Sequence, residues 1–449
     1  MRAKTSFLLN QALRSIREAC SLLKAEAYIV GGFLRDRALG RDCQDLDILV
    51  MNVDPGKIAE FLHKRAGFHS PVLFRRFGTY RVGRDGIDVE IVPPRGGTLE
   101  KDLQHRDFTI NTLLSRILAS STGRAVDLLG AAFRDLEMGV IRTPIAPQIS
   151  IKEDPLRMIR AIRFEQVLGF KMDKTLRRAI KEQHVLINDV SKERVREELE
   201  KILLGKKPSI SFRRMHDALL LSDILPELDE TCGFDQRSPY HHEDLFNHTL
   251  SSLDSAPPNL EIRLAALFHD IGKKDAQKQI NGKFVHYGHQ DISAVKARNA
   301  LKRLRFPKRV IEPVVFLVQH HMVQYSSLWG DSAVKRFIRK MGDKLDDMLA
   351  LLEADWGSLR HNENFKMFED LQKRISKFKV EEINRVESPL NGHEIQKILK
   401  IPPGPAVGRA KDAIVDAILE NKIRPSNVDA LRFLRKNRTS ILKNCAKNY

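Results

Sequence analysis

An α+β amino-terminal domain followed by a helical remainder is the architecture this sequence predicts, and three observations predict it. Short apolar runs crowd between residues 25 and 95, and the acidic positions within them alternate. Beyond Glu153 the apolar residues recur at helical spacing and strand signals nearly vanish. At 449 residues the chain exceeds what one hydrophobic core organises, so several domains are expected.

Residues 8–24 read as an amphipathic helix. Ala27-Tyr-Ile-Val is a strand closed by Gly31-Gly32, and Phe33–Leu39 is a helix stopped by Gly40. Asp45-Leu-Asp-Ile-Leu-Val reads as a second strand. Phe77–Val82 and Ile87–Val92 read as a hairpin around Arg84-Asp85-Gly86. Arg157–Leu168, Lys174–Gln183 and Lys192–Leu204 carry helical periodicity, and loops fall near Pro226, Pro239, Pro257-Pro258 and Pro402–Pro405. Composition and pattern suggest four segments: 1–145, 146–235, 236–370 and 371–449.

Lys and Arg total 76 against 58 Asp and Glu, net +18, which points to a polyanionic partner such as nucleic acid. Cys20, Cys43, Cys232 and Cys445 form no CxxC pair, so a reducing compartment and no thiolate zinc site are expected. The first residues lack the apolar run of a signal peptide, and no stretch reaches the roughly 18 apolar residues of a membrane span. The expectation is a cytoplasmic protein with no membrane partner.

Asp45 and Asp47, two residues apart on a strand, present their carboxylates to one face. Such a pair is costly unless a cation lies between them, and Mg²⁺ suits carboxylates together with triphosphate oxygens. Two such ions can activate a 3′-hydroxyl and stabilise leaving pyrophosphate. Gly31 and Gly32 let the backbone approach phosphates without a Cβ in the way. Arg35, a turn into the next helix, can neutralise triphosphate charge. A lone DxD is more often a solvated strand edge; the order strand, GG, short helix, DxD is much more specific.

Ile29-Val-Gly-Gly-Phe-Leu-Arg-Asp followed by Asp45-Leu-Asp-Ile resembles the signature of class II tRNA nucleotidyltransferases, the CCA-adding family, and of bacterial poly(A) polymerases. The resemblance implies a polymerase-β-like nucleotidyltransferase head, an all-α neck and body, an HD domain and an RNA-binding tail. His105-Arg-Asp-Phe-Thr-Ile-Asn resembles the family's RRDFTxNA block, implying that Arg106, Asp107 and Asn111 help hold ribose and phosphates; His105 stands where an arginine is usual. Asp127-Leu-Leu-Gly-Ala-Ala-Phe-Arg-Asp-Leu departs from the family's D-x-x-G-G-x-x-D-L block at Ala131 and by one inserted residue, leaving a turn as its expected role. Glu153-Asp-Pro-Leu-Arg resembles the EDxxR helix that selects the incoming base without a template. Asp154 would accept from the exocyclic amino group of C or A, Arg157 would donate to ring acceptors, and Glu153 would orient Arg157. Arg160 and Arg163 face phosphates or solvent. Ser191-Lys-Glu-Arg-Val-Arg-Glu-Glu-Leu resembles the block closing the neck, and is expected to be structural. Asp88 and Glu90 are both open as a third metal carboxylate.

Eight of the 15 histidines lie between residues 241 and 321, a clustering that calls for a chemical reason. His269-Asp270 closes an apolar helix, with His248 upstream and Asp355 downstream. This H…HD…D order, with Ile271-Gly-Lys, resembles the HD phosphohydrolases and implies that His248, His269, Asp270 and Asp355 bind a divalent metal. His289 and His321 are left to phosphate or a second metal, and His241 and His242 are unassigned. The competing reading is a decayed site with structural histidines. Pro389-Leu-Asn-Gly-His-Glu-Ile and Ile401-Pro-Pro-Gly-Pro resemble the family's tail, whose basic residues would meet tRNA phosphates.

The implied reaction transfers nucleotides from CTP, and in a full CCA-adding enzyme also ATP, to a tRNA 3′-hydroxyl. Alternatives are a poly(A) polymerase, a non-catalytic RNA-binding protein, or a phosphohydrolase whose head only delivers RNA. Between Val92 and Thr98 only Pro93-Pro-Arg-Gly-Gly remains, where CCA-adding members carry a longer flexible segment. The resemblance therefore favours a CC-adding enzyme working with a separate A-adding enzyme.

Overall fold

A computed structural model describes residues 2–43, 45–74, 78–84, 86–118, 121–235, 244–357 and 362–441. The chain divides into two compact units, Met1–Pro226 and Glu227–Tyr449. The borders suggested near 145 and 370 fall inside these units. Phe77, Asp85, Pro239, His241, His242 and Cys445, singled out above, lie outside the described residues.

The first unit carries a six-stranded mixed sheet of order β3-β4-β5-β2-β1-β6. Its strands are β1 Ala27–Val30, β2 Asp45–Val50, β3 Val72–Phe74, β4 Thr79–Arg84, β5 Ile87–Val92 and β6 Leu114–Arg116. β2 runs parallel to β5 and antiparallel to β1. The expected hairpin is present, with Arg84 opposite Ile87. Leu46, Ile48, Val89 and Ile91 are fully buried. Helices α1 (Arg2–Leu22) and α3 (Pro55–Ala66) pack together, and both reach β5. The alternating positions Asp45, Asp47, Asp88 and Glu90 therefore share the opposite face of the sheet, in register Asp45 to Asp88 and Asp47 to Glu90. Helix α2 (Gly32–Ala38) follows β1 directly, so Gly31-Gly32 lies at the end of the strand beside β2.

After α4 (Leu99–Gln104) and α5 (Ala132–Met138), the unit is helical apart from a short parallel pair, Val140–Ile141 with Lys171–Met172, among the described residues: α6 Pro147–Glu153, α7 Arg157–Leu168, α8 Lys174–Gln183 and α9 Lys192–Leu203. Asp127 accepts from the backbone N–H of Gly130 and of Phe133, which makes that segment a turn into α5. The Glu153-Asp-Pro-Leu-Arg segment does not lie on one helix, as its resemblance implied. It spans the break between α6 and α7, because Pro155 disfavours helical geometry at Asp154, whose φ and ψ are −151° and 97°.

Among its described residues the second unit is helical apart from one hairpin, Lys278–Ile280 with Lys283–Val285, turning on Asn281-Gly282 at φ 50° and 76°. An Asn-Gly pair with both residues left-handed is the favoured two-residue hairpin turn. The strands are three residues each, too short for alternation to mark them. Leu245–Ser255, Leu260–Phe268, His289–Arg303, Lys308–His320 and Leu345–Gly357 build the helical body. Gly392–Leu399, Pro405–Leu419 and Asn427–Lys436 close around Leu390, Ile395, Leu399, Ile414 and Leu434. Among the described residues, no helix is long and apolar enough to cross a membrane.

Candidate active sites

The head site starts from a close approach that only glycine permits. Gly31 has φ +79°, and a Cβ there would lie 2.7 Å from Asp47 Oδ2 and 3.0 Å from Arg106 Nη1. The missing side chain thus leaves room for a carboxylate and a guanidinium at the end of β1. Asp47 is pushed up to about 6, by burial first; Arg106 and Arg160 oppose the shift, and Glu90 and Asp45 add to it. A cation on this face would offset both the burial and the neighbouring carboxylates. Asp88 is paired with Arg81, 2.6 Å away, whereas Glu90 lies opposite Asp47 in the strand register.

Behind this site runs a chain of buried polar contacts. Arg35 donates to Asp36 and to Asn111 Oδ1, and lies over the Phe164 ring at 4.9 Å. Asn111 Nδ2 donates to Asp107 Oδ1 at 2.8 Å. Asp107 Oδ2 receives Nε and Nη2 of Arg160, while Glu198 receives Arg160 Nη1 and Arg163 Nε. Burial raises the Asp107 carboxyl, but Arg160, Asn111 and the Phe108 N–H outweigh it and hold it well below the usual carboxylate range. Asp107, Asn111, Arg160 and Arg163 thus engage one another and their neighbours.

At the break between α6 and α7, Glu153 accepts from Arg157 at 3.2 Å. Arg157 is buried and also donates to Ser150 and to the His105 carbonyl. The imidazole of His105 meets Glu153 at 2.9 Å, which gives this departure from the family pattern a place in the site. Asp154 does not meet the Arg157 side chain. It takes two bonds from Arg194 of α9, at 3.1 and 2.8 Å. Arg194 lay in a block read as structural; a partner 40 residues away leaves no local signal.

The second unit gathers His248, His269, Asp270, His289, His321 and Asp355. Asp355 Oδ1 lies 3.1 Å from His248 Nε2 and 3.4 Å from His269 Nε2. Asp270 Oδ2 lies 3.1 Å from His269 Nε2 and 2.6 Å from Lys273 Nζ. His269 Nδ1 donates to the Ala266 carbonyl, which fixes the ring and turns Nε2 inward. That Nε2 is buried and faces the Asp270 and Asp355 carboxylates. Burial would lower His269, yet Asp270 and Asp355 outweigh it and lift the imidazole to about 10. Lys273, present in the sequence as part of Ile-Gly-Lys but given no role, places its ammonium against Asp270 Oδ2.

A glycine-bounded pair of strand carboxylates on a mixed sheet, backed by a helical neck, defines a nucleotidyltransferase of the polymerase-β-like class. The family model for the poly A polymerase head domain matches residues 27–142, that for the probable RNA and SrmB-binding site of polymerase A matches 169–232, and the HD domain matches 248–353. The chain is 34% identical to the CC-adding tRNA nucleotidyltransferase of Thermus thermophilus, over 89% of this chain and 91% of that protein. It is 29% identical to the A-adding tRNA nucleotidyltransferase of Deinococcus radiodurans, over 87% and 91%. Its fold is shared with the CCA-adding enzyme of Bacillus stearothermophilus in complex with CTP, at a TM-score of 0.70 and 22% identity over 98% and 99% of the two chains. The chain belongs to the tRNA nucleotidyltransferases of the CCA-adding family and is an enzyme of that kind.

Proposed function

We propose that this enzyme adds two cytidylates to the 3′ end of tRNA and stops, leaving the terminal adenylate to a separate A-adding enzyme. The observation that carries the reading is the segment Pro93–Thr98 between β5 and α4. It is short, stiffened by two prolines, and tied down where Asp102 accepts from the Arg95 N–H at 3.1 Å. Asp102 also receives Arg106 Nε, so the segment is anchored to the arginine beside Asp47. A lever so held has little freedom to reset the base-reading junction from C to A. The likeness to a CC-adding relative supports this reading. With CTP and ATP both present, tRNA lacking its 3′ terminus should gain two nucleotides and stall when sized at nucleotide resolution. A product three nucleotides longer and ending in A overturns the stop after CC, and a run of A alone favours poly(A) synthesis.

Asp45 and Asp47, with Glu90, are the groups that would hold Mg²⁺, which when bound supplies the charge that activates the 3′-hydroxyl and steadies the leaving pyrophosphate. Gly31 and Gly32 leave space for the triphosphate, and Arg106 offers it a cation. Arg35 and Asn111, through Asp107 and Arg160, keep the neck helix α7 against the head. Asp154 accepts from the exocyclic amino group shared by C and A, Arg157 shapes the pocket through Glu153 and the His105 carbonyl, and Arg194 sets the aim of Asp154. Loss of one such contact is worth about 1–3 kcal/mol of base discrimination. Asp154→Ala should therefore cut the preference for CTP over UTP by about 10- to 100-fold in direct competition. Arg194→Ala should erode it while leaving triphosphate affinity in place. Unchanged discrimination in both variants would remove the junction from base choice.

The second unit is proposed as a metal-dependent phosphohydrolase, with His248, His269, Asp270 and Asp355 holding a divalent ion and Lys273 meeting phosphate. His269→Ala should abolish phosphoester hydrolysis and spare nucleotide addition. Equal hydrolysis by wild type and variant would refute the assignment. The dispersed cysteines, free at Cys20, Cys43 and Cys232 among the described residues, and the basic charge suit an enzyme acting on tRNA in the cytoplasm.

A further inference from the structure

We propose that His105 is a positioning residue for base choice: its imidazole and its carbonyl hold the Glu153–Arg157 pair in one arrangement, and the same carbonyl ties that arrangement to Arg95 in the Pro93–Thr98 segment. The inference rests on the reading of the α6–α7 break as the place where the base is chosen, and deepens it. His105 ends α4. Its N–H bonds back to the Lys101 and Asp102 carbonyls, while its own carbonyl points past the helix. That carbonyl takes Nη2 of Arg157 at 2.5 Å and Nη1 of Arg95 at 3.3 Å. The ring meets Glu153 Oε1 at 2.9 Å, and Arg157 Nη1 meets the other oxygen, Oε2, at 3.2 Å. The contacts close on themselves: imidazole to carboxylate, carboxylate to guanidinium, guanidinium back to the carbonyl of the same histidine.

The chemistry of the ring shows why a histidine serves here. A carboxylate only accepts, so the nitrogen against it, Nδ1, carries the proton. One N–H occupies Oε1 and leaves Oε2 to Arg157. The arginine usual at this place in the CCA-adding family has parallel N–H groups that fork across both oxygens of a carboxylate, and in this chain it would compete with Arg157 for Glu153. Arg157 is buried, and its Nη1 also donates to the Ser150 carbonyl and hydroxyl. Bonds on both terminal nitrogens fix the plane of the guanidinium, and with it the direction of any N–H offered to a base. Asp102 lies three residues before His105, on the same side of α4. It accepts from the Arg95 N–H and from Arg106 Nε. One turn of α4 therefore gathers the backbone and side chain of Arg95, the arginine beside Asp47, and the acceptor of Arg157. Movement of the Pro93–Thr98 segment is transmitted to Arg157 through one shared carbonyl.

The test is competition between CTP and UTP for addition to tRNA lacking its 3′ terminus, read together with KM and kcat for CTP and with the melting temperature. His105→Ala removes the imidazole and keeps the carbonyl. It should cut the preference for CTP by about 3- to 10-fold, what one hydrogen bond is worth, and raise KM for CTP more than it lowers kcat. His105→Asn, whose amide N–H falls near the place of Nδ1–H, should restore most of the preference. His105→Arg should not, because its fork takes Glu153 from Arg157. Arg95→Ala should also erode the preference, and Arg95→Ala with His105→Ala should cost less than the product of the two single losses, since both act on one arrangement. Should His105→Ala fail to fold, the contrast between the Asn and Arg variants decides. Asp154→Ala is measured beside them. If it loses the preference while His105→Ala keeps it, the positioning role is overturned and base reading at the break stands. If Asp154→Ala keeps the preference as well, both fall. Equal losses in the Ala, Asn and Arg variants together with a lowered melting temperature mean a structural role only, which also overturns the proposal.

Discussion

Asp47→Ala is expected to lower the rate of nucleotide addition by at least about 10³-fold while tRNA binding changes little, as filter binding beside single-turnover extension would show. The size follows from the proposed role: preorganised charge at the reacting oxygens is commonly worth 10²–10³-fold per group, and on that reading the carboxylate lost is one of the groups that would hold the metal. Asp47→Asn should be nearly as damaging, because the charge is what matters rather than the volume. Binding survives because the basic surface of a chain with net charge +18 is untouched. Gly31→Ala offers a steric version of the same test. Its Cβ would intrude 2.7 Å from Asp47 Oδ2 at a residue with φ +79°, so the carboxylate must move without being removed. A loss of about 10²-fold is expected there. An Asp47→Ala enzyme within tenfold of wild type would remove the strand carboxylates from the chemistry.

What could be read in advance and what could not divides along chain separation. Gly31, Asp45 and Asp47 were legible because a strand, a double glycine and a second strand fix one local geometry. The pleat alone also put Asp88 and Glu90 on that face, but it could not tell them apart. The difference is Arg81, which neutralises Asp88 from the neighbouring strand. The resemblance marked Asp154 and Arg157, and it carried the assumption of one continuous helix. Pro155 breaks it and sends Asp154 to Arg194 instead. In the second unit His248, His269, Asp270 and Asp355 were named from their order. That His289 and His321 converge on the far oxygen of Asp270 depends on where two further helices pack, which periodicity does not encode.

Asp107→Ala is expected to lower the stability of the first unit by about 3 kcal/mol, because removing one partner of a largely buried ion pair strands the other. Asp107 has 12% of its side chain exposed and Arg160 has 29%, so the cost should fall at the lower end of the range for fully buried pairs. At about 2–4 °C per kcal/mol for a unit of this size, the melting transition should fall by about 6–12 °C. Calorimetry is the suitable probe, since both tryptophans, Trp329 and Trp356, belong to the second unit. The pH dependence has a definite sign. The folded carboxyl titrates well below its unfolded value, so Asp107 contributes its stability at neutral pH and loses it as pH falls below about 4. The gap between wild type and variant should therefore be full at pH 7 and close progressively in acid. The resemblance offered another role, in which Asp107 holds ribose or phosphate directly. That role predicts an unchanged melting temperature and a raised KM for CTP. The two Arg160 bonds on Oδ2 and the Asn111 and Phe108 bonds on Oδ1 favour the first outcome, because they already occupy the carboxylate that a nucleotide would have to reach.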